Sequence, residues 1–164
     1  MLLLAATGDE RWAAFAAGAL AAASADTWAT ELGLLSAAAP RSIISGARVP
    51  PGTSGGVTLA GTLAGVFGAL VVIAAVSALG WPGVAVAAGA GGVLGMAADS
   101  LLGATVQERR WCATCASETE ARVHSCGETT SAERGVCGLT NDVVNAAATF
   151  VGAGAAALLH AWSA

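Results

Sequence analysis

Four stretches of this chain, residues 12–35, 57–79, 83–106 and 140–162, each run for more than 20 residues with few charges. At a rise of ~1.5 Å per residue, a helix of that length crosses ~30 Å of hydrocarbon. Only 11% of the residues are charged, where a soluble domain has roughly a quarter. Much of the apolar content is Ala, which inserts weakly, so an Ala-rich soluble bundle is the competing reading. The opening "MLLLAAT" is too short for a signal h-region and lacks a basic n-region. The expected fold is all-α: one membrane domain over residues 1–164, a polytopic bundle of about four transmembrane helices with a cysteine-rich polar loop at 107–138.

The connections are unequal. "SAAAPRSIISGARVPPGTSGG" joins the first two segments and reads as a loop from its Pro, Gly and Ser. "GWPG" joins the second to the third as a tight turn with Trp81 at the interface. With four spans, the first and third connections share one face. Arg41, Arg48, Arg109, Arg110, Arg122 and Arg134 lie there, and only Arg11 lies opposite. Cytoplasmic loops carry the Arg excess, so the long loops are expected in the cytoplasm of a multi-pass cell-membrane protein. A net charge of −4 without Lys argues against a nucleic-acid surface.

Polar residues inside the segments gather toward that same face. Asp26 and Glu31 lie late in the first segment, and Asp99 and Gln107 near the end of the third. Asn141, Asp142 and Asn145 open the fourth. Ionisable groups in a membrane are functional candidates by default. Asp26 and Glu31 stand about 140° apart on an ideal helix, so they meet one ion only if the helix bends. Gly18, Ala22, Asp26 and Thr30 form a stripe at spacing four, as do Gly91, Gly95, Asp99 and Gly103. Small residues of this kind let helices approach closely in lipid.

"PPGTSGGVT" (50–58) stands directly before the second segment. Free backbone N–H groups and the positive end of a helix dipole there suit an anion. The loop is not a Walker A motif, because no Gly-Lys-Ser/Thr follows. A plain capped turn is the bland alternative. In the polar loop, Cys112-x2-Cys115 is followed by His124-x-Cys126 and then Cys137. A reducing compartment disfavours disulfides. The spacing favours a tetrahedral zinc set of Cys112, Cys115, Cys126 and either His124 or Cys137, in a structural role, with free thiols and no metal as the bland alternative.

"ADTWATELG", "GTSGGVTLAGTLAG", "DSLLGATVQ" and "TNDVVN" follow one another in this order. In these motifs the chain resembles the integral-membrane family of plant phytyl-phosphate kinase and animal transmembrane protein 19. The resemblance covers nearly the whole chain. It implies an all-helical membrane protein that phosphorylates phytyl phosphate to the diphosphate, with a nucleoside triphosphate as donor and CTP as a candidate. It carries the family motif to Asp26, Thr27, Glu31, Gly52, Thr53, Gly55, Gly56, Asp99, Gln107, Asn141, Asp142 and Asn145. Members usually have further helices ahead of "ADTWATE"; about 11 residues precede the first segment here.

The expected function is a membrane kinase acting on an isoprenoid monophosphate. Asp26, Glu31, Asp99 and Asp142 would be the catalytic carboxylates holding Mg²⁺. Arg41, Gly52, Thr53, Ser54, Gly55, Gly56 and Thr58 would cradle nucleotide phosphates. Gln107, Asn141 and Asn145 would orient phosphate oxygens, with the lipid tail between small-residue helix faces. The expected partners are membrane lipid, a nucleoside triphosphate and an isoprenoid phosphate; a homo-oligomer is left open. Transport of a cation or small solute is the first rival, since acids also mark ion paths. A non-catalytic membrane adaptor is the second.

Overall fold

The computed structural model describes residues 2–163. Four long helices carry the fold: α2 (Arg11–Leu34), α3 (Leu59–Ala78), α4 (Pro82–Thr105) and α5 (Asn141–Ser163), after a short α1 (Leu2–Thr7). Their limits fall within two residues of the apolar segments. Three of them, α3, α4 and α5, are individually long and apolar enough to cross a membrane. The helix α2 is as long as α4 but richer in polar residues. It packs along α3, α4 and α5, as α4 packs along α2, α3 and α5.

The bundle is small inside and large outside. Its buried residues are mostly Ala and Gly, with Val84, Met96 and Val144 among the few larger ones. Leu20, Leu59, Leu63, Phe67, Leu70, Val86, Leu94, Phe150 and Leu158 all face outward. A water-soluble bundle would bury its large side chains and expose its small ones. The opposite arrangement gains close backbone contact inside and apolar contact with lipid outside.

Glycines set the helix spacing. A Cβ at Gly18 would meet Ala156 Cβ and, at 2.9 Å, Gly152 O; one at Gly95 would meet Ala148 O at 3.0 Å. So α2, α4 and α5 join along Gly18, Gly91, Gly95 and Gly152. On the other side, α3 lies against the α2 backbone: a Cβ at Gly61 would stand 2.6 Å from Ala29 O and one at Gly65 2.8 Å from Ala25 O. Ser24 Oγ also donates to Gly68 O at 3.1 Å. These seams correct one expectation. The small-residue faces are filled by neighbouring helices, so the Gly/Ala stripes leave no room for a lipid tail.

The polar regions carry strands that the all-helical expectation did not contain. β1 (Arg41–Ser42) pairs antiparallel with β2 (Gly56–Val57), closing the first loop into a hairpin-like excursion. Residues 107–138 form a three-stranded antiparallel sheet of β3 (Arg109–Cys112), β4 (Ser117–Thr119) and β5 (Ser131–Arg134), with β3 in the middle. The sheet is tied to the bundle by Glu108 N–H donating to Leu139 O (2.8 Å) and Val136 N–H to Val106 O (2.9 Å). Arg110 fastens it from within, donating to Glu108 Oε1 at 2.5 Å and to Thr130 Oγ1 at 2.8 Å. Glu108 also accepts from the Gly138 amide at 2.7 Å. Those two donors hold its carboxyl below the usual carboxylate range.

Candidate functional site

The ends of α2 and α4, the start of α3 and both polar connections surround one cavity of about 320 Å³. Asp26 and Asp99 stand in its wall, both half-buried. Their carboxyl groups lie within hydrogen-bond reach of each other. With its amide nitrogen turned toward acceptors, Asn145 donates to Asp99 Oδ1 at 2.7 Å and to Asn141 O at 3.3 Å. Among the described residues, neither Asp26 nor Asp99 has an Arg or His partner. Two acids without a basic neighbour call for a cation or a shared proton.

The opposite wall is the glycine loop. Gly52, Thr53, Ser54, Gly55, Gly56 and Thr58 all line the cavity, as do Gln107 and Asn141. Gly52 (φ +79°) and Gly55 (φ +75°) take the left-handed conformation that makes the loop turn. Gly55 also lies directly on α4, where a Cβ would stand 2.7 Å from Ala104 Cα. Thr58 caps α3, its Oγ1 accepting from Gly61 N at 3.0 Å. The positive end of the α3 dipole therefore opens into the same space that Asp26 and Asp99 face.

Other expected residues stand apart. Glu31 is exposed on α2, away from the cavity lining, as its 140° offset from Asp26 requires. Asp142 is exposed in the first turn of α5; its neighbour Asn141 lines the cavity in its place. Arg41 donates to Gly46 O at 2.8 Å and lies outside the lining. Arg109 takes the place expected of it, donating to Ser54 O. The sequence reading also missed Glu120. Its Oε1 accepts from Ser54 Oγ at 2.9 Å and from Gln107 Nε2 at 2.6 Å. It is one of seven acids outside the long helices and Asp9–Glu10 apart, four others share its loop. Only the sheet register shows which of them reaches the cavity.

The cysteine cluster forms at the far end of the sheet. Ligand atoms of Cys112, Cys115, His124 and Cys126 all lie within 4.8 Å of one another. Cys137 is exposed and outside that group, so His124 and not Cys137 is the fourth member. Cys112 Sγ and Cys126 Sγ are 3.7 Å apart, and His124 Nδ1 lies 3.2 Å from Cys126 Sγ. A tetrahedron with ~2.3 Å metal–sulfur bonds has sulfur–sulfur edges of about 3.8 Å. The spacing thus fits four ligands around one ion. The Glu128 amide and His124 bring the Cys126 thiol down to about 6, so it is a thiolate, the ligating form, at neutral pH.

The integral membrane protein model DUF92 matches residues 2–153. The chain belongs to the DUF92 family of integral membrane proteins. Relatives include an uncharacterized membrane protein of Methanocaldococcus jannaschii, 41% identical over 91 residues, which are 55% of this chain and 38% of that one. Protein PGR of Arabidopsis thaliana is 38% identical over 108 residues, 58% of this chain and 38% of the plant protein. The chain thus spans under two fifths of the length of these DUF92 relatives. No solved structure matches it.

Proposed function

We propose that the cavity is a phosphoryl-transfer site of a membrane kinase whose acceptor is an isoprenoid monophosphate, such as phytyl phosphate, and whose donor is a nucleoside triphosphate, with CTP a candidate. One observation carries this reading: two uncompensated carboxylates share a cavity with a glycine loop and a helix N-terminus. Mg²⁺ is commonly held by one or two carboxylates plus substrate phosphates, keeping its remaining waters. Asp26 and Asp99 fit that donor set. When bound, the ion would neutralise phosphate charge. Thr58 and the loop amides would bind the donor phosphates, with Ser54 held by Glu120 and Arg109 to shape the loop, and Asn141 and Gln107 would orient oxygens of the acceptor. An acceptor oxygen attacks the terminal phosphorus, the new P–O bond forms, and nucleoside diphosphate leaves with the electrons of the old one. Positioning and charge neutralisation suffice for such chemistry. Purified protein incubated with Mg²⁺, labelled nucleoside triphosphates and a panel of prenyl phosphates should yield labelled prenyl diphosphates. Absence of transfer from every nucleotide would overturn the reading.

A second reading, cation transport, has one observation in its favour. Asp26 also borders a smaller void of about 100 Å³, lined with Thr27, Asn145 and Thr149 between α2, α4 and α5. Mg²⁺ flux into proteoliposomes without nucleotide would favour transport over transfer.

The four-ligand cluster is assigned a structural zinc, because the sheet buries almost no apolar side chain besides Cys112. Metal analysis should find about one zinc per chain. Changing Cys112 and Cys115 together to Ser should remove it, and Cys137→Ser should not. Four titratable thiols and no zinc would end this assignment.

The sheet and the glycine loop meet at one end of the bundle, and the two connections that carry them hold six of the seven Arg. We place that end in the cytoplasm. Cys137, exposed and outside the cluster, reports on this. An impermeant thiol reagent should label it only after lysis; labelling in intact cells would reverse the orientation.

A further inference from the structure

We propose that Glu120 and Arg109 form a latch through which the cysteine cluster holds the glycine loop in its cavity-lining shape. The inference rests on the reading of the loop as a phosphate cradle and of the cluster as a zinc site.

Ser54 is gripped twice. Its hydroxyl donates to Glu120 Oε1 at 2.9 Å, and its carbonyl accepts from Arg109 Nη2. Both partners belong to the sheet: Arg109 begins β3, and Glu120 directly follows β4. Glu118, at the centre of β4, accepts from Arg109 Nη1 at 3.1 Å and orients the guanidinium. Gln107 is 3% exposed and donates to the same Glu120 oxygen at 2.6 Å. The latch therefore joins the sheet, the glycine loop and the end of α4 at one carboxylate.

The cluster sits at the other end of this hairpin. Cys112 closes β3 opposite Ser117, and Arg110 pairs with Thr119. At ~3.4 Å per residue, the metal ligands lie about 10 Å from the latch along β3. An isolated hairpin is marginal in water. This sheet has no apolar core, so fixing its turn end fixes the register that delivers Arg109 and Glu120. β3 stays anchored by β5 and by the Glu108 and Val136 bonds to the bundle, so loss of the metal would free the outer strand β4, and with it Glu120 and its grip on Ser54. Glu120 is thus a positioning residue.

Hydrogen exchange of purified protein in detergent tests this without substrate. Glu120→Ala should keep its zinc and speed exchange of the Thr53 and Gly56 amides, which close the loop turns onto Pro50 O and Thr53 O, by about tenfold, the scale of losing one charge-assisted hydrogen bond. Glu120→Gln retains an acceptor oxygen and should restore most of the protection. Removing zinc with a chelator, or through Cys112→Ser with Cys115→Ser, should accelerate the same amides while α2 to α5 stay protected. With Mg²⁺ and CTP or ATP, Glu120→Ala should raise KM more than it lowers kcat. Unchanged loop exchange in Glu120→Ala would overturn the latch. Unchanged exchange on zinc removal, or a protein that purifies without metal, would overturn its coupling to the cluster. If no variant, nor the wild type, turns over nucleotide, the kinase reading falls while the exchange data still decide the latch.

Discussion

Asp26→Asn should reduce Mg²⁺-dependent phosphorylation of prenyl phosphates by several orders of magnitude while leaving the fold intact. Asn matches Asp in volume but removes the charge that holds the cation. Neutralising transferring phosphate charge supplies several kcal/mol of the barrier, and each ~1.4 kcal/mol is tenfold in rate. Yield and melting should change little or improve, because a half-buried amide costs less than an unpaired carboxylate. Asp99→Asn should behave alike, since the two carboxyls face each other in one cavity. The controls are Glu31→Gln and Asp142→Asn, on the same helices as Asp26 and Asn145 but outside the lining. They should keep activity within about threefold; Asp142→Asn should cost under ~1 kcal/mol of stability for its favourable place at the α5 N-terminus. A purely structural role predicts the reverse: Asp26→Asn would lower melting first, with activity falling in proportion. Asn variants that retain full Mg²⁺-dependent transfer would exclude both acids as cation ligands.

What the sequence made legible follows from where its physical signals are strong. Long apolar runs fixed four helices, because nothing but a helix satisfies so much backbone in lipid. Asp26 and Asp99 stood out because carboxylates are rare there. The angular offset of Glu31 was also readable from its spacing. Asp142 was not separable from Asn141 in the same way, because which of two adjacent residues faces inward depends on how α5 is rotated. The sheet left a fainter trace. Its strands are three or four residues long and mostly polar, so no alternation marks them; only the Cys-x2-Cys knuckle hints at a hairpin. Glu120 carried no signal at all beyond its charge. It reaches Ser54, 66 positions away, only because β4 pairs with β3 in one register. The swap of Arg41 for Arg109 has the same origin.

The bundle seam gives the other large effect, on stability. Gly91→Ala should destabilise the helices severely, because its Cβ would press into Gly152 O and stand 2.9 Å from Ala156 Cβ and 3.1 Å from Ala156 N. Two of these three atoms are backbone, so relief requires α4 and α5 to separate, at a cost on the scale of core overpacking, about 1–3 kcal/mol or more. Gly154 supplies the matched control. It lies two residues beyond Gly152 on α5, and a Cβ there would meet nothing within 4 Å. Gly154→Ala removes a helix-weakening glycine without a clash, and should be neutral or stabilising by up to ~1 kcal/mol. Thermal unfolding in detergent would resolve the pair, with Gly91→Ala melting well below the wild type and Gly154→Ala at or above it. Equal melting of the two variants would mean that α4 and α5 do not meet along this glycine seam. Because Asn145 on α5 reaches Asp99 on α4 just beyond the seam, partial separation in Gly91→Ala should also lower transfer activity more than the fraction unfolded accounts for.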